Sequence, residues 1–182
     1  MIKVLLFLDR VFVKILSIYR KNVFLGKIGV KSGDVKVLGK VYVYATNVKI
    51  GKNVTIYPNV FFWGDGEIII GDNVDIGIGT IIFSKKRVEI GNNVLIAADC
   101  YIIDSNHSIK KDAKINKQLL DISKNGLFIG DDVWIGAGCK IVKDAKINNG
   151  AVIGAMSLVN SEIEAFGIAV GIPAKVIKYR QN

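Results

Sequence analysis

The chain has 182 residues, 51% of them hydrophobic, and its 25 Lys and Arg against 16 Asp and Glu give a net charge of +9. That length suits one folded domain with a small appended element. The positive charge favours acidic partners, but the sequence has no aromatic RNA-binding signature, zinc-finger spacing or long Arg-rich run, so we predict no nucleic-acid partner.

The first predicted element is an amphipathic helix over residues 1–24. Lys3, Arg10 and Lys14 share a narrow stripe on a helical wheel that is otherwise mostly apolar. Early charges interrupt the apolar run and no cleavage site follows, so the pattern predicts neither a signal peptide nor a membrane-spanning helix. Two interpretations stay open: peripheral membrane contact through residues 1–21, or packing on the rest of the chain or between subunits.

A six-residue repeat dominates the predicted domain over residues 25–178, before a short tail at 179–182. It reads IGKNVTIYPNVF from Ile50 and IGDDVWIGAGCKIVKDAK from Ile129. Each repeat has an aliphatic residue, then a small or branched residue four places later, with Asn, Asp or Gly at the turn between them. Such spacing predicts an all-β fold, a three-sided parallel β-solenoid with six residues per side. The predicted inward aliphatic positions are 50, 56, 62, 70, 76, 82, 90, 96, 102, 129, 135, 141, 147, 153 and 159.

The irregularities of the repeat all fall at one corner. Successive aliphatic positions are six apart within a coil, eight apart between the first three coils, and 27 apart between the third and the fourth. The longest insertion predicts a protruding loop at residues 108–128, and loops of that length are usually functional or disordered. His107, the only histidine, stands at its root. When the first three coils are stacked with their offset of 20 residues, Gly64, Ser84 and Asp104 are predicted to lie over one another at this corner. Glu67, Arg87 and His107 are predicted to form a second such column.

Four stretches resemble the hexapeptide-repeat acyltransferase family: NVLIAADCYIIDSNH, IGDDVWIGAGCKI, IGAMSLV and the closing GIPAKVIK. The resemblance covers about residues 48–178. It implies a left-handed parallel β-helix, a hand that the residues do not derive because parallel crossovers are usually right-handed. It also implies acetyl-CoA as co-substrate and a homotrimer in which each site lies between two prisms.

His107 matches the family histidine that acts as general base. Transfer of an acetyl group to a hydroxyl requires removal of a proton as the oxygen attacks, and a positioned imidazole provides a base near neutral pH. The resemblance implies direct transfer in a ternary complex without an acyl-enzyme, consistent with the lack of a recognisable nucleophile elbow in the sequence. Asp104 is a candidate to orient the imidazole, with a role in the turn as the alternative.

Five further residues match the family's coenzyme A side. Trp134 resembles a tryptophan near the acyl arm, with a subunit contact as the alternative. Small residues border the pantetheine arm in the family, and two basic residues meet the phosphates and adenine, with a solvated basic tail as their alternative. The matching small and basic positions are Ala137, Ala155, Lys175 and Lys178.

On the acceptor side the sequence departs from galactoside-type relatives. Those relatives bind sugar hydroxyls with an aspartate and an asparagine. The aligned positions in this sequence are Lys85 and Gly77. The corner SKKR suggests that Lys85 and Arg87 bind an anionic acceptor such as a sialic or uronic acid unit, with simple solvated corner residues as the alternative.

Cysteine and histidine usage also limits the chemistry. A single histidine cannot build the multi-histidine zinc site of γ-class carbonic anhydrases, so we predict no metal. The repeat places Cys100 and Cys139 as a stacked pair of core thiols, with a redox role as the weaker alternative.

Together these features predict a cytoplasmic O-acetyltransferase, at the inner face of the membrane if its helix docks there. It would move an acetyl group from acetyl-CoA to a sugar hydroxyl of a bacterial surface glycan or its precursor. Two alternatives stay open: an N-acetyltransferase acting on an amino nucleotide sugar, and a non-catalytic solenoid scaffold.

Overall fold

The computed structural model describes residues 2–31 and 33–181. It begins with helix α1 (Ile2–Lys27), which runs three residues beyond the predicted boundary at 24. In the described part of the chain twenty-two short strands follow, with one turn of 3₁₀ helix at Ile115–Lys117. In chain order the strands are β1 Val35–Val37, β2 Val41–Val43, β3 Asn47–Ile50, β4 Val54–Ile56, β5 Val60–Trp63, β6 Glu67–Ile70, β7 Asp75–Ile76, β8 Ile81–Phe83, β9 Arg87–Ile90, β10 Leu95–Ile96, β11 Tyr101–Ile103, β12 Ser105–His107, β13 Leu120–Ile122, β14 Leu127–Ile129, β15 Trp134–Ile135, β16 Lys140–Ile141, β17 Lys146–Ile147, β18 Val152–Ile153, β19 Leu158–Val159, β20 Glu162–Ile163, β21 Gly167–Gly171 and β22 Ala174–Tyr179.

The strands form the three faces of a prism, and the chain visits them in turn. Face A contains β1, β4, β7, β10, β15, β18, β21 and β22; face B contains β2, β5, β8, β11, β16 and β19; face C contains β3, β6, β9, β14, β17 and β20. All neighbours within a face are parallel except β21 and β22. The predicted fold class, a left-handed parallel β-helix with an N-terminal helix and one protruding loop, is confirmed.

The repeat predicts the core correctly. Of the fifteen aliphatic positions, all but Ile50 are at most 3% exposed. The first two sides of the opening coil were missed, because β1 and β2 lack the Ile-Gly-x-Asn signature although Val35 and Val37 point inward. The solenoid therefore starts before residue 48, where the family resemblance began.

Asparagine and aspartate serve the turns as predicted. Asn53, Asn73 and Asn93 all have left-handed backbone angles, with φ of 52°, 57° and 57°. Their carboxamides form a ladder, since Asn53 donates to Asn73 and Asn73 to Asn93, each over 3.0 Å. The short polar side chain thus tolerates the strained angle and also bonds one coil to the next.

Cys100 and Cys139 are stacked in the core as predicted. Both are free and buried, and the following residues Tyr101 and Lys140 are paired between β11 and β16. Contact with Cys139 and burial raise the pKa of the Cys100 thiol. A thiol held protonated in this way is a packing residue rather than a nucleophile.

Only the carboxyl-terminal half of α1 packs on the solenoid. Phe24 and Leu25 are each 2% exposed, and the Phe24 ring lies 5.8 Å from that of Phe62. All residues from 2 to 15 are exposed. Within the described ranges no helix has the length and apolarity needed to cross a bilayer.

Candidate functional site

Asp104 fixes the corner between faces B and C. Its buried carboxylate accepts from the backbone N–H of Lys85, Lys86 and Arg87, each at 2.8 Å, and from the Ser84 hydroxyl at 3.2 Å. These four bonds hold the SKKR turn of the preceding coil. Among the described residues no hydrogen bond joins Asp104 to His107, so the geometry of one chain favours the alternative role in the turn.

Immediately after Asp104 the chain leaves the solenoid. Strand β12 pairs antiparallel with β13, with His107 opposite Leu120, and His107 is exposed. The predicted column that stacked His107 on Arg87 is therefore wrong. The residue over Arg87 is Gly126, where a Cβ would lie 2.5 Å from the Arg87 carbonyl oxygen, and β14 then resumes face C against β9.

The protruding segment is a hairpin that starts earlier than the predicted loop at 108–128. Gln118 closes its tip, since its side-chain oxygen accepts from the Ser108 hydroxyl at 2.7 Å and its amide donates to the carbonyls of Lys110 and Ala113 at 2.8 and 2.7 Å. The tip encloses a cavity of about 630 Å³ lined by residues 108–121 but not by His107. We therefore treat this cavity as loop interior and not as the reaction centre.

The predicted acceptor cations are neutralised within the chain. Lys85 pairs with Asp65 at 2.7 Å, and Arg87 pairs with Glu89 at 2.8 Å and with Glu67 at 3.5 Å. The hydrogen bond from Lys85 holds the pKa of the Asp65 carboxyl below its usual range. These ion pairs weaken the charge argument for Lys85 and Arg87 as binders of a sialic or uronic acid unit, although Lys86 of the same turn is exposed and has no carboxylate partner among the described residues.

At the corner between faces A and B runs a groove lined mainly by small residues, with Ile78 as an exposed exception in the same row as Ala98. The inward residues Ile76, Ile96, Ile135 and Ile153 are aligned between coils, and each is followed by glycine or alanine. A Cβ on Gly77 would lie 2.4 Å from the Ala97 backbone. The residues of this small-residue column are Gly77, Ala97, Ala98, Gly136, Ala137, Gly154 and Ala155.

The predicted coenzyme A residues border this column. Trp134, on face A, is 55% exposed and is aligned with Val152, Ile168 and Lys178. Lys175 is opposite Val170, next to Gly154 at the end of the column. The structure thus brings all five predicted donor residues to face A and the corner that follows it.

These two groups lie on different sides of the prism. The histidine leaves from the corner between faces B and C, which is the corner opposite face A. A single chain therefore does not unite His107 with the small-residue column. Among the described residues no three His, Cys, Asp or Glu side chains cluster in a way that could hold a metal ion.

An aromatic pocket at the His107 corner was missed in the sequence. It has a volume of about 280 Å³ and lies beside Gly64, in the coils that precede the hairpin. Trp63 is 55% exposed and meets Phe83 edge to face, with ring centroids 5.5 Å apart. Outward aromatic residues at the ends of neighbouring strands were the available signal. The side chains lining the pocket are Tyr44, Thr46, Trp63, Asp65, Phe83 and Lys85.

A three-sided parallel solenoid with a histidine-bearing hairpin and an axial groove of mainly small residues defines a hexapeptide-repeat transferase. The family model "Bacterial transferase hexapeptide (six repeats)" matches residues 126–161. The chain is 34% identical over 172 residues to the dTDP-4-amino-4,6-dideoxy-D-glucose acyltransferase of Escherichia coli, covering 90% of each protein. It is 31% identical over 129 residues to the galactoside O-acetyltransferase of Escherichia coli strain K12, covering 71% of this chain and 62% of that protein.

Among solved structures, a mutant of AntD has the same fold. AntD is an N-acyltransferase from Bacillus cereus, in complex there with dTDP-4-amino-4,6-dideoxyglucose and coenzyme A; the TM-score is 0.73 at 24% identity, over 88% of this chain and 90% of that one. The protein belongs to the hexapeptide-repeat sugar acyltransferases and is an acyl-CoA-dependent acyltransferase.

Proposed function

We propose that the protein transfers an acetyl group from acetyl-CoA to the amino group of a nucleotide-linked amino sugar. The observation that carries this choice is the 34% identity to the dTDP-4-amino-4,6-dideoxy-D-glucose acyltransferase over 90% of both chains. The match to the galactoside enzyme is shorter. This reverses the order of the two acceptor classes that the sequence alone favoured.

Chemistry at the site follows from its exposed imidazole. As the acceptor nitrogen attacks the thioester carbonyl, the new C–N bond forms, the C–S bond breaks and coenzyme A leaves as the thiol. His107 takes the proton from the attacking nitrogen and returns it to the departing sulfur, so no acyl-enzyme is required. Trp134, Ala137, Ala155, Lys175 and Lys178 hold the donor in this proposal.

A homotrimer completes the site. The small-residue column and His107 lie at two different corners of one prism, and in this proposal the acyl carbon of a donor on one chain meets the histidine of its neighbour. The exposed apolar residues of the hairpin, Ile109 at 81% and Leu119 at 89%, are placed to contact that neighbour.

The acceptor class is tested by thiol release from acetyl-CoA with three acceptors: a dTDP-4-amino-4,6-dideoxy sugar, the same nucleotide sugar with a hydroxyl in place of the amine, and a galactoside. We expect release with the amino sugar and an N-acetylated product by mass spectrometry. Preferred turnover of the hydroxyl analogue or the galactoside would contradict N-acylation. It would support the O-acetyltransferase instead, the second candidate favoured by the galactoside relative. Absence of release with every acceptor would contradict both.

Trp63 is expected to bind the acceptor. Its exposed ring forms a wall of the aromatic pocket, and sugars and bases stack on such rings at roughly 1 to 3 kcal/mol per contact. Trp63→Ala should therefore raise the acceptor KM by roughly ten-fold and leave the KM for acetyl-CoA unchanged. Trp134→Ala is the matched control and should have the reverse effect. Equal effects of Trp63→Ala on both KM values would contradict a role in acceptor binding.

A further inference from the structure

The amino-terminal half of α1 has no support from its own chain. Contacts with the solenoid start at Ser17, whose hydroxyl donates to the Val37 carbonyl at 3.4 Å, and at Arg20, which donates to the Leu38 carbonyl at 3.3 Å. Every residue from 2 to 15 is exposed. At 1.5 Å per residue this free segment extends about 20 Å from the prism.

This free segment continues a broad apolar surface. At 100° per residue, nine exposed apolar side chains fill an arc of about 160° on the helix, while exposed Ile2, Leu6 and Val13 lie outside it. Contiguous apolar surface of this kind marks a contact with a membrane or a partner. Its members are Val4, Leu5, Phe7, Leu8, Val11, Phe12, Ile15, Ile18 and Tyr19, each at least 39% exposed.

Positive charge is concentrated in the remaining arc, which also carries exposed Ile2, Leu6 and Val13. Helix α1 contains six Lys and Arg and one acid, Asp9, and so carries +5 of the chain's +9. Lys3, Arg10, Lys14 and Lys21 fall within about 40° of one another. Among the described residues no carboxylate pairs with any of the six.

A cationic pocket lies where the helix meets the prism. The cavity of about 300 Å³ is lined by Arg20, Lys27 and Lys40 together with Tyr19 and apolar residues, and its lining contains no acid. On the helix, Arg20 and Lys27 lie just beyond the edge of the apolar arc. When a helix buries its apolar side in a bilayer, residues at the edge of that side lie at the depth of the lipid phosphates.

Charge decides between a bilayer and further copies of the chain. Val4, Leu8, Val11 and Ile15 are spaced as in a coiled-coil seam, but such a seam would leave Phe7 exposed and bring together helices that each carry +5. Opposite charges normally flank a coiled-coil seam, and here only Asp9 is acidic. An anionic bilayer covers the whole arc and matches its charge.

We propose that α1 docks the enzyme on an anionic phospholipid bilayer. Residues 2–15 lie along the boundary between headgroups and acyl chains, and Arg20, Lys27 and Lys40 meet the headgroup phosphates. The helix lies in the interface without crossing it. This placement brings the enzyme to the membrane whatever the identity of its acceptor, so it stands apart from the proposed reaction.

Co-sedimentation of the full-length protein with vesicles tests this docking. We expect the protein to pellet with vesicles of phosphatidylcholine and phosphatidylglycerol in equal parts, and to stay in solution with phosphatidylcholine alone. Since each basic residue near an anionic surface contributes about a factor of five, Lys3→Glu/Arg10→Glu/Lys14→Glu should weaken binding at least a hundred-fold. Lys111→Glu/Lys114→Glu/Lys117→Glu makes the same change of net charge on the exposed hairpin and should still pellet.

A second variant separates the bilayer from self-association. Phe7→Glu/Phe12→Glu places acids in the apolar arc, where the side chains touch nothing in the prism, and should abolish pelleting while the solution mass by light scattering stays that of the unchanged protein. Either of two results overturns the proposal: pelleting by this variant, or a fall in its solution mass, which would make the arc a seam between copies. Its thiol release with a soluble acceptor serves as the check on folding.

Discussion

His107→Ala is expected to lower kcat by about 10² to 10⁴, the contribution of a positioned general base. The imidazole is exposed on β12, and in the proposed trimer it meets only the acyl carbon of the donor, whose remaining length is held by the small-residue column, Trp134 and the two lysines of the neighbouring chain. Its loss should therefore leave both the melting temperature and the KM for acetyl-CoA unchanged. Thiol-release kinetics at saturating acceptor, with thermal unfolding of the same preparation, measure these quantities.

Two controls make this result specific. Asn106→Ala removes the neighbouring exposed side chain on β12 and should keep its kcat, which shows that the hairpin strand itself is intact. Chains with His107→Ala mixed with chains carrying Ala155→Trp, which blocks the groove, should regain activity on refolding together. In such mixed trimers the histidine of an Ala155→Trp chain lies beside the intact groove of a His107→Ala chain. Full activity of His107→Ala alone would refute its role as the base.

The regular part of the fold was predictable because each hexad carries its own signal. An inward isoleucine, a small residue and a left-handed Asn or Asp recur locally, so Ile96 and Asn93 could be placed without knowing any distant contact. The first two sides of the opening coil escaped because their valines, such as Val37 and Val43, lack that turn signature. Alternating valines alone do not distinguish a solenoid side from an ordinary strand.

The site was harder to predict because it depends on where the repeat stops. Counting along the repeat placed His107 over Arg87. The chain instead leaves the solenoid at Ser105 and forms an antiparallel hairpin. A repeat period alone does not show where the chain stops following the repeat. The same offset of 20 residues does place Asp65 beside Lys85, and the structure pairs them. Sequence motifs proposed the residues of the site, whereas pairing between coils showed which of their charged side chains are already in ion pairs.

Asp104→Ala is expected to destabilise the fold more than any change at the exposed site residues. The carboxylate is completely buried and accepts from three backbone N–H groups and the Ser84 hydroxyl. Each buried donor left without a partner costs about 1 to 3 kcal/mol, so we expect a loss of roughly 3 kcal/mol or more in the free energy of unfolding. For a chain of this length that lowers the melting temperature by about 6 to 12 °C.

Comparison with Asp104→Asn separates the two roles considered for this residue. An asparagine keeps one acceptor oxygen for the turn, so it should recover part of the lost stability. Ser84→Ala removes one of the four bonds to Asp104 and the contact of the hydroxyl with the Glu67 carbonyl at 2.9 Å, and should cost about 1 to 2 kcal/mol. If Asp104 acted by orienting the imidazole, Asp104→Asn would lower kcat strongly at an unchanged melting temperature. We expect the opposite, a lower melting temperature with kcat nearly retained in the folded fraction, because the four donors of the SKKR turn already occupy the carboxylate.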